Sequence, residues 1–418
     1  MNRPTATRGL TLIELVIGLA LSSMVIVAGT TMLLSQQKAF RASSGQRSSL
    51  EAGRLVLDEL VSSLRTAGYG MDSQLTFDFG DMANVPRSAL GIYGRGYTQG
   101  YLCNNPGPVR CRDRTDGPDE VVFYSRDPLF SRALVDATTT QLTVLGELRQ
   151  PLYAGQILQV MCRLDPMTRG YVTVSQGVAA QAAPDPTKKV TIQLKAGVKQ
   201  LNVPAFPNEN DVLTDACFTA GAAVVAKVDR YRYYVQSYDE AGNLVANGTA
   251  GSRPYLMLDQ GLTDLNGAAI LLPLAADVED LQLAYLYPPA GAGGGARLVG
   301  VRQGTNAADE AFPITVGVAP PAMAAPADSA ARTTGNPANI QGVRVSVVVR
   351  TPEPDVEKTA ASWLTIPAAG NRPALVGVQG FRRGLFETTV TVRNMQAADF
   401  TYTVVDPAGL PGMNRGGG

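Results

Sequence analysis

Residues 8–34 read RGLTLIELVIGLALSSMVIVAGTTMLL. From Leu10 to Leu34 the only charge is Glu14. The stretch exceeds the roughly 20 mainly apolar residues that a helix needs to cross a bilayer. A backbone in hydrocarbon must satisfy its own hydrogen bonds, and a helix does so. Arg3 and Arg8 precede the stretch, and no Lys or Arg follows until Lys38. This asymmetry predicts a cytoplasmic N-terminus and a large outward-facing C-terminal part.

A secretory signal peptide would have a shorter apolar core, followed by a small-residue cleavage site. Here the core is longer and carries a carboxylate near its start. A charge inside a membrane segment is costly and marks a functional partner. The blander reading of Glu14 is a side chain that snorkels to the interface.

Arg8-Gly9-Leu10-Thr11-Leu12-Ile13-Glu14-Leu15 resembles the class III signal of type IV prepilins and pseudopilins. The resemblance implies that a membrane aspartyl peptidase, the prepilin peptidase, cuts between Gly9 and Leu10 and N-methylates Leu10. The apolar helix then stays on as filament core. Glu14 falls fifth in the mature chain, where the family carries its glutamate. The family usually has Phe where this chain has Leu10. Cleavage would expose an ammonium on Leu10 in an apolar setting, and Glu14 of a neighbouring subunit would neutralise it. An unpaired charge in low dielectric is expensive, so the pair would favour one axial register.

The helical pattern continues beyond Leu34. Leu50, Leu57, Leu60, Val61 and Leu64 recur at helical spacing and predict a stripe packed on the protein's own sheet. Glu51, Arg54, Asp58, Glu59 and Arg65 occupy the remaining positions. Gly68 and Gly70 stop the helix. Gly18, Gly29, Gly45 and Gly53 read as weak points within it. Over residues 10–67 the helix would be about 85–90 Å long.

After Gly70 the pattern changes to period two with β-branched residues. Strands are expected at Glu120–Tyr124, Gln141–Leu145, Ile157–Met161, Tyr171–Ser175, Val190–Leu194, Val224–Val228, Tyr231–Ser237, Leu281–Tyr287, Val343–Val349 and Phe386–Val392. Val343, Val345, Val347 and Val349 alternate with Arg344, Ser346 and Arg350, which predicts a half-buried strand with one wet face. The fold class is therefore α+β: a long N-terminal transmembrane helix packed on an antiparallel β-sheet head, with an extra β-rich subdomain. The expected divisions are a leader at 1–9, the helix at 10–67 with 10–34 transmembrane, and the head at 68–418. Within the head, 128–220 reads as an inserted β subdomain and 318–339 as a flexible loop. Pro288–Ala296 reads as a linker, and the tail after Asp406 is expected to fray.

Composition narrows the function classes. Lys+Arg and Asp+Glu both number 36, so no net field attracts nucleic acid or anionic lipid. There is no His, so a Ser-His-Asp or Cys-His site is impossible and the commonest metal ligand is missing, while a carboxylate-only or Lys-based site stays open. No catalytic residue, cofactor or metal is expected. Cys103, Cys111, Cys162 and Cys217 form no CxxC pair; in an exported chain they favour disulfides. Cys103 with Cys111, leaving Cys162 with Cys217, is one of three possible pairings, and the spacing does not choose among them.

Other clusters read as structural. Asp113, Asp116, Asp119 and Glu120 do not match a calcium-loop spacing and read as a solvated turn before a strand. Asp277, Glu279 and Asp280 read as a strand start. GAGGGA at 291–296 lacks the lysine of a phosphate-binding loop. Tyr231, Tyr233 and Tyr234, beside Arg230 and Arg232, read as strand residues rather than a base-stacking surface.

Resemblance extends into the head. LRTAGYG at Leu64–Gly70 is similar to the end of the first helix in minor pilins of the PilW type. PLYAGQILQV at Pro151–Val160, YRYYVQS at Tyr231–Ser237, VEDLQLAY at Val278–Tyr285, GVRVSVVVRT at Gly342–Thr351 and TTVTVRNM at Thr388–Met395 resemble later segments of that family, in order. The resemblance implies a non-enzymatic role in type IV pilus assembly, priming or capping the filament. Implied partners are the inner membrane, the prepilin peptidase, other minor pilins, the major pilin and the pilus assembly platform. The implied location is the bacterial inner membrane, single-pass, with the C-terminal domain in the periplasm and at the cell surface after assembly. Alternatives are a minor pseudopilin of type II secretion and a pilin-anchored surface adhesin.

Overall fold

One helix, α1, runs from Leu12 to Thr66, 55 residues and hence about 82 Å. The computed structural model describes residues 11–71, 76–77, 117–163, 168–195, 209–219, 222–287, 297–299, 340–354, 365–370, 372–378 and 380–395. Ala67 closes α1 by donating its N–H to the Leu64 carbonyl at 3.1 Å. Gly68 and Gly70 follow with φ of +77° and +64°, a region that glycine enters without a Cβ penalty. The glycine stop thus falls where the sequence predicts it.

Along its last turns α1 presents Ser49, Gly53, Val56, Leu60, Leu64 and Ala67 as its buried face. Val56, Leu60 and Leu64 share a core with Leu281, Leu283, Val343, Val345, Val347 and Tyr233. Leu57 and Val61 flank this face, partly buried. Leu50, expected on the stripe, is 42% exposed, because it lies about 100° round the helix from Ser49. Gly53 is a contact point rather than a weak one. A Cβ there would stand 2.4 Å from the Phe386 ring.

The strands are β1 (Val121–Ala137), β2 (Gln141–Leu145), β3 (Ile157–Cys162), β4 (Arg169–Thr173), β5 (Lys189–Gln193), β6 (Ala223–Tyr238), β7 (Leu244–Val245), β8 (Arg253–Thr263), β9 (Ala269–Ala276), β10 (Val278–Tyr287), β11 (Arg297–Val299), β12 (Gly342–Arg350), β13 (Thr365–Ile366), β14 (Leu375–Val376) and β15 (Arg383–Thr391). A short helix, α2 (Ala216–Thr219), precedes β6. Nine strands form one sheet along the path β4-β3-β6-β1-β2-β5, with β7 and β8 on β6 and β9 on β8. A second sheet runs β11-β10-β12-β15. All of this pairing is antiparallel. The coarse α+β expectation, one long apolar N-terminal helix with antiparallel sheets, holds.

Three details differ from the sequence expectation. Val224–Val228 and Tyr231–Ser237 are one strand, β6. The β8–β9 hairpin was not expected. The second face of β12 is wet only at Arg344, whose side chain is 34% exposed; Ser346 is 2% and Arg350 4% exposed, and both meet carboxylates of neighbouring strands. A second core lies apart from that of α1. It gathers Leu134, Leu142, Val144, Leu158, Val160, Val172, Ile192, Phe218, Ala223 and Val225. The segments 288–296, 318–339 and the tail after Asp406 lie outside the described residues.

Candidate functional site

The helix start is built by Thr11. Its hydroxyl accepts from the Glu14 N–H (3.4 Å), while its own N–H and hydroxyl both lie within hydrogen-bonding reach of Glu14 Oε2, at 3.0 and 2.9 Å. This is a reciprocal capping box, which satisfies donors that the first turn of a helix leaves free. It folds the carboxylate back over the N-cap, at the end of the helix where the dipole favours negative charge. Gly9 and Leu10, the expected cleavage and methylation positions, lie outside the described residues.

From Leu12 to Leu34 every side chain is exposed, although most are large and apolar. This is one helix long and apolar enough to cross a membrane. Its hydroxyls do not require water. Ser22 donates to the Gly18 carbonyl (2.7 Å), Ser23 to Ala20 (2.8 Å), Thr30 to Ile26 (2.9 Å), Thr31 to Ala28 (2.9 Å) and Ser35 to Met32 (2.8 Å). Back-bonding of this kind lets Ser and Thr sit in a helix without an unmet donor. The segment therefore presents hydrocarbon, satisfied hydroxyls and one carboxylate at its start.

The carboxylates at the start of β10 are more than a strand start. Asp280 receives Arg372 Nε at 2.6 Å, and neither side chain is more than 2% exposed. Arg372 also donates to the carbonyls of Pro373 and Pro367, both at 2.7 Å, so one guanidinium gathers the β13–β14 hairpin and fixes it to β10. Glu279 receives Arg383 at 2.5 and 3.0 Å. Asp277 receives Arg253 at 2.8 Å. Arg350 stacks over the Phe381 ring at 4.1 Å and stands 3.6 Å from both Asp277 and Glu279. Four arginines around three carboxylates make a charge-compensated clamp, not a metal site. Among the described residues no group of His, Cys, Asp and Glu is placed to hold a metal.

The acidic turn is also corrected. Asp119 is 1% exposed rather than solvated, because its carboxylate accepts from the Leu283 N–H at 2.8 Å. Glu120 pairs with Arg232 at 2.6 Å. Asp113 and Asp116 lie outside the described residues. Tyr231, Tyr233 and Tyr234 are strand residues of β6. Tyr231 stacks on Phe123, and Arg232 lies 4.4 Å over the Tyr234 ring. Cys162 and Cys217 form a disulfide that ties α2 to β3; Cys103 and Cys111 lie outside the described residues.

The arginine clamp was missed in the sequence. Its signal is the run Asp277-Val278-Glu279-Asp280 opening an otherwise apolar strand, since buried carboxylates require cations beside them. No family model, curated protein or solved structure matches the chain.

Proposed function

We propose that this chain is a membrane-anchored subunit of a type IV pilus machine, a minor pilin resembling PilW that primes or caps the filament and performs no catalysis itself. The observation that carries the reading is the division of α1. Its first half is exposed hydrocarbon with a single carboxylate held at its start. Its second half, without a break, contributes Val56, Leu60 and Leu64 to the core of the head. A helix serving only as an anchor needs no such carboxylate, because a charge at that depth is costly. In this reading the prepilin peptidase cuts before Leu10, and Glu14 is the group that meets the ammonium of a neighbouring subunit. The head stands in the periplasm until assembly carries it to the surface.

Mass spectrometry of the N-terminal peptide, from membranes with and without prepilin peptidase, tests this. The expected peptide starts at Leu10, carries one methyl group and disappears without the peptidase. A Met1 start in both strains, or a start beyond Ala28, sinks the reading.

A further inference from the structure

Sheet edges in proteins carry devices against stray pairing: proline, bulges, lysine, shortness or a covering segment. Edge strand β9 has Pro273, and its register with β8 slips beside Met257. Edge strand β4 is backed by the turn Glu209–Thr214, whose Val212 would stand 2.4 Å from a Cβ at Gly170. Edge strand β5 starts with Lys189, and β11 is only three residues long. Edge strand β15 has none of these devices from Gly384 to Thr391. That stretch contains no Lys and no Pro. Its register with β12 runs to Thr391 without a slip. Its one charge, Glu387, is taken by Arg344 and by Ser346, the latter at 2.8 Å. Among the described residues β15 pairs with β12 alone, so its other edge turns N–H and C=O groups outward.

The helix above this edge is also short of a neighbour. Gly53 of α1 sits on Phe386 of β15, while Ser63 and Glu59 meet Tyr233 of β6 on the other flank. At 100° per residue, Leu57, Leu50 and Val61 lie about 40–80° round from Gly53, away from Ser63 and Glu59. They occupy the flank of the helix that lies past β15. Leu50 is 42% exposed, and Leu57 and Val61 are only partly buried. Phe386 and Thr388, on the strand face beneath α1, are half-buried as well. One more strand beside β15 would take this apolar surface out of water.

The chain itself holds a segment of that kind. Met395 N–H donates to the Val392 carbonyl at 3.1 Å, so the chain turns directly after β15. Residues 396–418 lie outside the described residues. Their sequence contains Phe400-Thr401-Tyr402-Thr403-Val404-Val405, bounded by Asp399 and by Asp406-Pro407. A run of aromatic and β-branched residues between such boundaries favours a strand. From Met395 to Phe400 the chain can reach up to roughly 16 Å, enough to return beside Thr391 and run antiparallel.

We propose that residues 400–405 form the outermost strand of this sheet, antiparallel to β15, and guard its open edge. Opposed residues share a face. A register with Phe400 opposite Val390, Tyr402 opposite Thr388 and Val404 opposite Phe386 matches the chemistry of both faces. Phe400, Tyr402 and Val404 then lie beneath Leu50, Leu57 and Val61. On the other face Thr401 meets Thr389, Thr403 meets Glu387, and Val405 covers Leu385, which is 44% exposed. The outward groups of β15 are then paired within the chain, and no second chain can add a strand there.

The test uses the full chain in detergent. Amides of 400–405 should exchange on the order of tenfold more slowly than those of 408–418. Tyr402→Pro removes a ladder donor. It should abolish that protection and speed exchange in 385–391, with peptides of β6 unchanged. Thr389→Cys with Thr401→Cys, joined by a short dithiol-reactive linker and mapped by mass spectrometry, should give a link within one chain. Equal exchange across 400–418 overturns the guard, and so does absence of the link. A link between two chains also overturns it, by placing a second copy's tail on the edge. If the cysteine variant does not fold, exchange of the wild type and of Tyr402→Pro decides.

Discussion

Both halves of α1 carry leucines and glycines and ask opposite things of them. In the first half Gly18 and Gly29 have nothing within 4 Å of a would-be Cβ; in the second, Gly53 would drive one into the Phe386 ring at 2.4 Å. Leu19 is 64% exposed, whereas Leu60 is fully buried. Helical spacing is continuous across both halves, so local propensity does not separate them. What separates them is charge, a lone Glu14 up to Leu34 against eight charged residues from Lys38 to Arg65, and whether the head supplies a facing surface. The first half must be read against a solvent of lipid or neighbouring helices, the second against Leu281, Val345 and Phe386.

The largest expected effect breaks that contrast directly. Leu60→Ala should lower the stability of the head by roughly 2–5 kcal/mol, through lost burial and the cavity left behind. Leu19→Ala should leave the same denaturant midpoint unchanged in detergent. A similar loss from both would mean that the first half also packs on the head. Next comes the glycine pair. Gly53→Val should cost about 1–3 kcal/mol by overpacking, with Phe386→Leu recovering part of the loss, while Gly18→Val should be silent in head unfolding. Equal tolerance at the two glycines would refute the close approach.

A smaller effect sharpens the boundary between the halves. The Tyr233 hydroxyl lies 2.8 Å from Ser63 Oγ and 3.2 Å from Glu59 Oε1, and Ser63 donates to the same carboxylate at 3.2 Å. A tyrosine has one proton to give, so the chain Tyr233 to Ser63 to Glu59 satisfies all three. Burial pushes the phenol further up, above its ordinary range. Tyr233→Phe should cost about 1 kcal/mol, the net worth of one such bond. No change in the unfolding midpoint would mean that water serves Ser63 and Glu59 equally well.

Legibility in the sequence follows the range of the interactions. The helix, its glycine stop and most of the strand cores are local patterns, and Leu57, Leu60 and Leu64 announce their face by spacing alone. Gly53 does not, because its partner is Phe386, far along the chain. β6 reads as two strands because Asp229 and Arg230 look like a break; they are instead strand residues paired with Ser125 and Tyr124 of β1. The β8–β9 hairpin escapes because Pro254, Gly261 and Pro273 interrupt it and its apolar run does not alternate. The meaning of Asp277, Glu279 and Asp280 depends on four arginines drawn from three other regions, which no spacing rule brings together. At the candidate site, Glu14 stands out in the sequence as a lone charge, but its bond to Thr11 becomes visible only with the cap geometry.

The smallest effect concerns acid. Within residues 12–34 the only carboxylate is Glu14, so the pH dependence of head stability should come from carboxylates elsewhere. Glu387 illustrates the sign. Burial alone would raise it, but the bonds from Arg344 and Ser346 outweigh burial and hold it below the usual carboxylate value. A folded-state value below the unfolded one means that the contribution is present above about pH 4 and is lost as pH falls through the folded value. Asp127 behaves alike through Lys227 and the Leu129 N–H, again against the opposing effect of burial. Asp229 runs the other way, raised by burial despite Lys227, so its contribution is present at low pH and lost as pH rises through its folded value. Glu387→Gln should therefore lower the unfolding midpoint at neutral pH, and the gap to wild type should close as pH drops below about 4. Parallel curves down to pH 3 would show that Arg344 gives this carboxylate no net stabilisation in water. Glu14→Gln should move neither curve, since among the described residues the carboxylate it removes is held by Thr11 alone and touches nothing in the head.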